Sequence, residues 1–129
     1  MSATLTAQDN STLRTAAYGA VSLLAAAGAK GISQASIALT SATGLSGHVL
    51  AAKSRDIHLP GKNTAELADQ VLPALTAAMT LLQTQDPAEA DNFRTIITTA
   101  VDAALYTKGQ PTPAVTAMAH KIIAALDAA

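Results

Sequence analysis

The chain has 129 residues, the size of one domain, with a formal net charge of −1, only 13% charged residues and no cysteine. The missing basic excess argues against nucleic-acid binding, and the missing cysteine excludes disulfides, thiol redox chemistry and cysteine-ligated zinc or iron–sulfur clusters. Alanine is the commonest residue and aromatic residues make up 2%, which favours an all-helical domain because alanine has the highest helix propensity.

The first predicted helix begins near Thr6, which can form a capping box with Asp9, and ends at Gly28. Residues 1–8 are expected to form a loose N-terminal segment. Apolar residues at helical spacing place one face of this helix in the core: Leu13, Ala16, Ala17, Ala20, Val21 and Leu24. The apolar run at 16–29 is too short to span a bilayer and lacks the basic start of a secretory signal. We therefore expect a cytoplasmic protein with no membrane span.

Residues 32–54 form the weakest helical segment, because serine, threonine and glycine lower helix propensity. Gly44 and Gly47 interrupt the segment, which predicts two short helices, at about 33–43 and 46–54. Its many small residues suit close packing, either inside the protomer or against a second copy of the chain.

Three longer helices are predicted in the second half of the chain. One begins at Asn63 or Thr64 with a reciprocal Asn63–Glu66 cap, and we expect Pro73, on its solvent side, to kink it without breaking it. Its predicted core face is Leu67, Val71, Ala74, Leu75, Ala78 and Leu82.

The next helix starts at "DPAE", with Asp86 as N-cap, Pro87 in the first position and Glu89 in the third, and it ends at Lys108 and Gly109. Its predicted core face is Phe93, Ile96, Ile97, Ala100, Val101, Ala104 and Leu105. Thr112 and Pro113 begin the last helix, whose core face is Val115, Met118, Ala119, Ile122, Ile123 and Leu126. No strand pattern is present, so the prediction is an all-α, single-domain bundle of five to six antiparallel helices over residues 1–129.

Two helices of the chain can be aligned with each other. The sequence "LRTAAYGAV" at 13–21 matches "FRTIITTAV" at 93–101, each followed by a Lys-Gly turn and a helix that carries a histidine. Either a duplicated two-helix unit or the chance alignment of alanine-rich helices explains this match.

The repeated helix–glycine turn–helix pattern resembles the TerB-like tellurite-resistance domain, a small duplicated all-helical fold. The resemblance covers about residues 13–54 and 93–127, and it implies the fold. It does not imply the ion site of that family, because Lys30 and Lys108 stand where the family carries acidic turn residues. The alanine-rich texture is also similar to that of small helical actinobacterial proteins.

Two short motifs resemble catalytic or nucleotide-binding sequences without satisfying them. Gly61-Lys62 matches two positions of a phosphate-binding loop, but Asp56 occupies the position of the first glycine and Asn63 that of the hydroxyl residue. The sequence "GLSGH" at 44–48 has its second glycine misplaced for a nucleophile elbow, which also requires a β-sheet.

No metal, cofactor or catalytic set is predicted. None of His48, His58 and His120 has a ligand partner at helical spacing, and His120 is expected at the solvent flank of its helix. The carboxylates lie near helix N-termini, where they are expected to cap helices and complement their dipoles from solvent-facing positions: Glu66, Asp69, Asp86, Glu89 and Asp91.

The leading hypothesis for function is a non-enzymatic helical interaction or regulatory module that acts as a homodimer or binds another protein. A basic cluster next to the weak helical segment is the candidate ligand or partner patch, and the alternative is a solvated loop. We refer to this cluster as the basic patch, and its members are His48, Lys53, Arg55, His58 and Lys62.

Two alternatives remain open at this stage. One is a carrier or sensor of a small apolar ligand, with a cavity lined by Ile37, Leu39, Leu45, Val49 and Leu50. The other is an enzyme of unrecognised type, for which the supporting residues are Ser46, His48, Arg55 and His58.

Overall fold

Six α-helices make up most of the described residues. The computed structural model describes residues 6–51, 63–107 and 109–129, apart from the side chains of Leu45, His48 and Ala51. The helices are α1 (Ala7–Ala27), α2 (Ile32–Thr40), α3 (Gly44–Ala51), α4 (Thr64–Gln85), α5 (Pro87–Tyr106) and α6 (Pro113–Asp127). These ranges contain no β-strand, and the all-α prediction is confirmed. No helix within them is both long enough and apolar enough to cross a membrane.

The core lies where α1, α4, α5 and α6 meet, and α1 packs most extensively against α4. Every residue of the predicted stripes of α1 and α5 is buried, which confirms both helical phases. In α4 and α6 the stripes are buried except for the half-buried Leu67, Ala74 and Ile123. Because alanine contributes little apolar area, larger side chains provide most of the buried surface, and Phe93, Leu13, Leu23 and Leu24 are fully buried.

Most predicted helix caps are present. Thr6 and Asp9 form the capping box, Gly28 adopts a left-handed conformation with φ 104°, and the Asn63 side chain accepts from the Glu66 N–H at 2.9 Å. Thr112 caps α6 by accepting from the N–H of Val115.

Asp86 is the N-cap of α5, as predicted, but its side chain makes no capping bond. The residue is shared by two helices, and its backbone makes the capping contacts. The Asp86 N–H donates to the carbonyl of Leu82 in α4, and its own carbonyl accepts from the N–H groups of Glu89 and Ala90.

The remaining boundaries correct the sequence-based prediction in detail. The weak segment is divided into two helices as expected, but α2 ends at Thr40 and α3 begins at Gly44, so Gly47 lies inside a helix and does not interrupt it. The helix α4 runs unbroken through the exposed Pro73. The helix α1 begins at Ala7, so residues 7 and 8, expected to be loose, are helical. The helix α5 ends at Tyr106, and Lys108, the predicted end, lies outside the described residues.

The short helix α2 runs antiparallel along α5. At one end the Gly31 N–H donates to the carbonyl of Ala104 at 3.1 Å, and at the other the Asn92 amide donates to the carbonyl of Thr43 at 2.9 Å. Gly31 lies so close to α5 that a Cβ atom there would be 2.2 Å from the Ala103 carbonyl oxygen. The start of α2 therefore requires glycine for close approach.

The two Lys-Gly turns differ in backbone conformation. Gly31 has φ −92° and begins α2, whereas Gly109 has φ 103° and follows α5. Gly109 therefore resembles Gly28, the left-handed residue after α1, rather than its aligned partner. The duplication itself stays a prediction.

The helix α6 returns antiparallel to α5. Arg94 of α5 forms a salt bridge with Asp127 at the end of α6, while Leu105 and Val115 line a common small cavity at the opposite end. The Thr76 hydroxyl of α4 donates to the carbonyl of Ala125 at 2.7 Å and fixes α6 against α4.

Candidate functional site

The candidate site predicted from the sequence begins with α3. Side chains of α5 hold the N-terminus of this helix. The Ser46 N–H donates to Oε1 of Glu89 at 2.8 Å, and the Asn92 amide donates both to the Thr43 carbonyl and to the same carboxylate oxygen, at 3.3 Å. Glu89 and Asn92 are three residues apart on α5 and therefore lie on one face. A carboxylate at this position also complements the positive end of the α3 dipole.

The C-terminal end of α3 is held by two side chains of α1. The Arg14 Nε donates to the carbonyl of Val49 at 3.0 Å, and the Tyr18 hydroxyl donates to the carbonyl of Leu50 at 2.7 Å. Arg14 is only 8% exposed, so this guanidinium is a buried group. Its charge lies at the negative end of the α3 dipole, which compensates part of the cost of burying it.

Burial raises the pKa of the Tyr18 hydroxyl above its ordinary value of 10.0, and the neighbouring Arg14 guanidinium acts in the opposite direction. Burial dominates because a phenolate loses hydration in the partly closed site. Tyr18 is therefore a neutral hydrogen-bond donor at physiological pH, which its bond to the Leu50 carbonyl requires.

Ser46, the serine of "GLSGH", faces the interior. Its side chain is fully buried, and its Oγ makes no hydrogen bond to the described residues. A nucleophile has to reach its substrate and usually needs a base within hydrogen-bond distance. This placement gives the Ser46 hydroxyl a packing position next to Glu89 rather than an accessible one.

Most of the basic patch lies outside the described residues. His48 belongs to α3 by its backbone, but its side chain lies outside the described part of the structure. Lys53, Arg55, His58 and Lys62 also lie outside it. The patch, and the enzyme hypothesis that used three of its members with Ser46, stay predictions.

The residues proposed to line a ligand cavity do not share one surface. Ile37 is 58% exposed, while Leu39, Val49 and Leu50 are buried members of the main core. The Leu45 side chain lies outside the described residues. Within α2, Ala35 and Leu39 point inward, and Ile37 points away from them.

His120 is exposed on α6, as predicted. The described residues contain no group of three or more His, Asp or Glu side chains that could hold a metal ion. Of the carboxylates predicted to face solvent near helix N-termini, Glu66, Asp69 and Asp91 are exposed. Asp86 and Glu89 are the exceptions, because both are half-buried, and Glu89 is also bound to the start of α3.

Arg14, Tyr18 and Asn92 were not singled out from the sequence. The sequence did contain an indication for two of them. Arg14 and Tyr18 are four positions apart, and each directly follows a residue of the predicted core face of α1. Long polar side chains in such a position usually have a buried partner.

Comparisons with protein-family models, with curated proteins and with solved structures found no match to this chain. The resemblance to the TerB-like domain therefore rests on the short motifs alone. The site consists of α3, held at both ends by polar side chains, and the neighbouring helix α2, which is uncharged and partly apolar.

Proposed function

We propose that the protein is a non-enzymatic helical interaction module that acts as a homodimer, joined through the outer face of α2. This α2 face consists of Ser33, Gln34, Ile37, Thr40 and Ser41, all exposed and all on the side of the helix away from the core. The observation that carries the proposal is the 58% exposure of Ile37 in the middle of this face. Isoleucine is usually buried, and here it stands exposed in the middle of a surface that carries no charge.

The charge distribution supports contact with another protein surface. From Gly31 to Leu50 the chain has no Asp, Glu, Lys or Arg residue. Removing charged groups from water is costly, and the cores of protein interfaces are depleted of them. The α2 face can be dehydrated without that cost, since its serine, threonine and glutamine side chains can exchange water for hydrogen bonds across an interface.

A second copy of the chain suits this face better than a charged partner does. A charged surface would find no complementary charge on α2, whereas two copies of α2 related by a two-fold axis bring no like charges together. In that arrangement Ile37 packs on its symmetry mate, and the small Ser33 and Thr40 side chains permit close approach of the two helices.

The fixed ends of α3 support the same role. The turn between α2 and α3 is tight, because a Cβ atom on Gly47 would be 2.4 Å from the backbone of Ala42. Glu89 and Asn92 then anchor the start of α3 to α5, and Gly31 anchors the start of α2. A face held in position before binding loses less conformational entropy on association.

The expected dimer is weak. A nine-residue helix is only about 13 Å long. One face of such a helix is too small to bury the ~800 Å² per partner of a standard interface. Burying the exposed part of Ile37 contributes about 1–2 kcal/mol per copy. We therefore expect a weak, transient dimer that forms only at micromolar or higher concentrations.

Analytical ultracentrifugation over low to high micromolar concentrations tests this proposal. The wild-type protein should move from monomer to dimer, and Ile37→Lys should stay monomeric throughout. Tyr106→Lys is the matched control, because Tyr106 is 57% exposed but lies on α5, and it should dimerise like the wild type. Circular dichroism checks that both variants fold. A wild-type protein that stays monomeric, or a dimer that both variants weaken equally, would contradict the proposal.

A further inference from the structure

A second surface feature lies on a different side of α5. A groove of about 400 Å³, the size of a small-molecule site, lies between α5 and α6. Its apolar residues include Val101, Leu105 and Ala119, all nearly buried. The helix α2 contacts the side of α5 that carries Asn92 and Ala103, so this α5–α6 groove is separate from the α2 face.

The rim of the groove is polar and carries one carboxylate. Asp102 and Tyr106 are four residues apart on α5, which places both side chains on the same edge of the groove, and His120 lies on α6. Asp102 is exposed and makes no hydrogen bond or ion pair with the other described residues. Tyr106 is 57% exposed.

These features together define a ligand chemistry. A carboxylate attracts a cation, and an exposed aromatic ring next to it attracts the same cation through its π face. The apolar residues inside the groove require an uncharged hydrocarbon portion on the same molecule. An anion would meet the Asp102 carboxylate, and a purely apolar molecule would leave it partly dehydrated without a partner.

We propose that the α5–α6 groove binds a small amphipathic amine, with its ammonium group between Asp102 and Tyr106 and its hydrocarbon part over Val101, Leu105 and Ala119. This site is independent of the proposed dimer, because its residues lie outside the α2 face. The ligand is defined only by its chemistry: a primary ammonium group attached through a short link to an aryl or alkyl group.

The test compares three molecules of nearly equal shape: 2-phenylethylamine, 2-phenylethanol and phenylacetate. Each is titrated at neutral pH into ¹⁵N-labelled protein, and amide shifts are followed by NMR. We expect the amine to shift the amides of α5 and α6 around Asp102 and Ala119, and to bind about fivefold to tenfold more tightly than the alcohol. Phenylacetate should bind more weakly than either.

Asp102→Asn keeps the side-chain shape and removes the charge. It should reduce the affinity for the amine to that for the alcohol and leave the alcohol unchanged, while Asp91→Asn, an exposed carboxylate on the same helix, should change neither. Equal binding of amine and alcohol to the wild type, shifts located elsewhere, or full amine affinity in Asp102→Asn would overturn the inference. Repeating the titration with Ile37→Lys separates the two proposals, since loss of the dimer should leave the groove unaffected.

Discussion

The close contact at Gly31 gives the sharpest test of how α2 is positioned. The backbone of Gly31 has φ −92°, a conformation that any residue can adopt, so glycine is not needed there for its backbone freedom. Glycine is required because there is no room for a side chain between Gly31 and α5. A Cβ atom would lie 2.2 Å from the Ala103 carbonyl oxygen and 3.1 Å from the Cα atom of Ala104, and neither backbone atom can rotate away.

The cost of Gly31→Ala follows from these distances. The start of α2 has to move from α5 by about 1 Å to restore ordinary contact, at an overpacking cost of about 1–3 kcal/mol. The shift also weakens the Gly31 N–H bond to the Ala104 carbonyl, a loss of about 0.5–1.5 kcal/mol. Alanine also lowers the conformational entropy of the unfolded chain, which stabilises the folded protein by about 0.4–1 kcal/mol. We expect the free energy of unfolding to fall by about 2 kcal/mol, the middle of this range.

Urea denaturation followed by circular dichroism measures this change, and Gly109 provides the control. Gly109 has φ 103°, and a Cβ atom added there would have no other atom within 4 Å, so alanine is strained by the backbone alone whereas asparagine tolerates the left-handed conformation. At Gly109, asparagine should therefore cost less than alanine. At Gly31 asparagine should cost at least as much as alanine, because the steric conflict starts at Cβ. Gly31→Ala with wild-type stability would refute the reasoning.

Three further polar contacts are tested by substitution, each followed by chemical denaturation. Glu89→Ala leaves the buried N–H at the start of α3 without its acceptor and should cost about 1–3 kcal/mol, whereas Glu89→Gln keeps an acceptor oxygen and should cost less. Tyr18→Phe should cost about 0.5–1.5 kcal/mol at neutral pH. Because folding raises the pKa of Tyr18, its contribution is complete below the ordinary value of 10.0 and is lost as pH rises through the folded-state pKa, so the wild-type advantage should shrink in alkali. Thr76→Val should cost about 0.5–1.5 kcal/mol by removing the bond to α6, whereas the exposed Thr84→Val should change stability by less than about 0.5 kcal/mol.

The features predicted correctly from the sequence depend on residues within one helix. The capping box of Thr6 with Asp9 and the cap of Asn63 on Glu66 involve partners three residues apart. The buried stripes of α1 and α5 follow from the helical period alone. Such features require no knowledge of which helices pack together, and they could therefore be derived locally.

The features that were missed depend on contacts between distant parts of the chain. Arg14 and Val49 are 35 residues apart in sequence, and Ser46 and Glu89 are 43 apart. Glu89 stands in the first turn of α5, where its own helix dipole explains a carboxylate, so nothing local indicates that it also binds α3.

Ile37 shows a different kind of error. Its apolar side chain suggested a place in a cavity, but Ala35 and Leu39 are the inward residues of α2. A residue two positions from each lies on the opposite side of a helix, since each residue advances the helix by about 100°. The helical period would have predicted an exposed Ile37 if the sequence had shown which face of α2 is buried.

The dimer proposed through the α2 face is tested most directly by paramagnetic relaxation between two copies of the chain. Because the chain has no cysteine, Ser41→Cys gives a single attachment point for a spin label at the edge of that face. Protein that carries the spin label but no ¹⁵N is mixed with ¹⁵N-labelled wild type, so that any broadening reports contact between copies. We predict broadening concentrated on the amides of α2 and abolished when both copies carry Ile37→Lys. Absence of broadening at high micromolar concentration, or broadening centred on α5 and α6, would contradict the account.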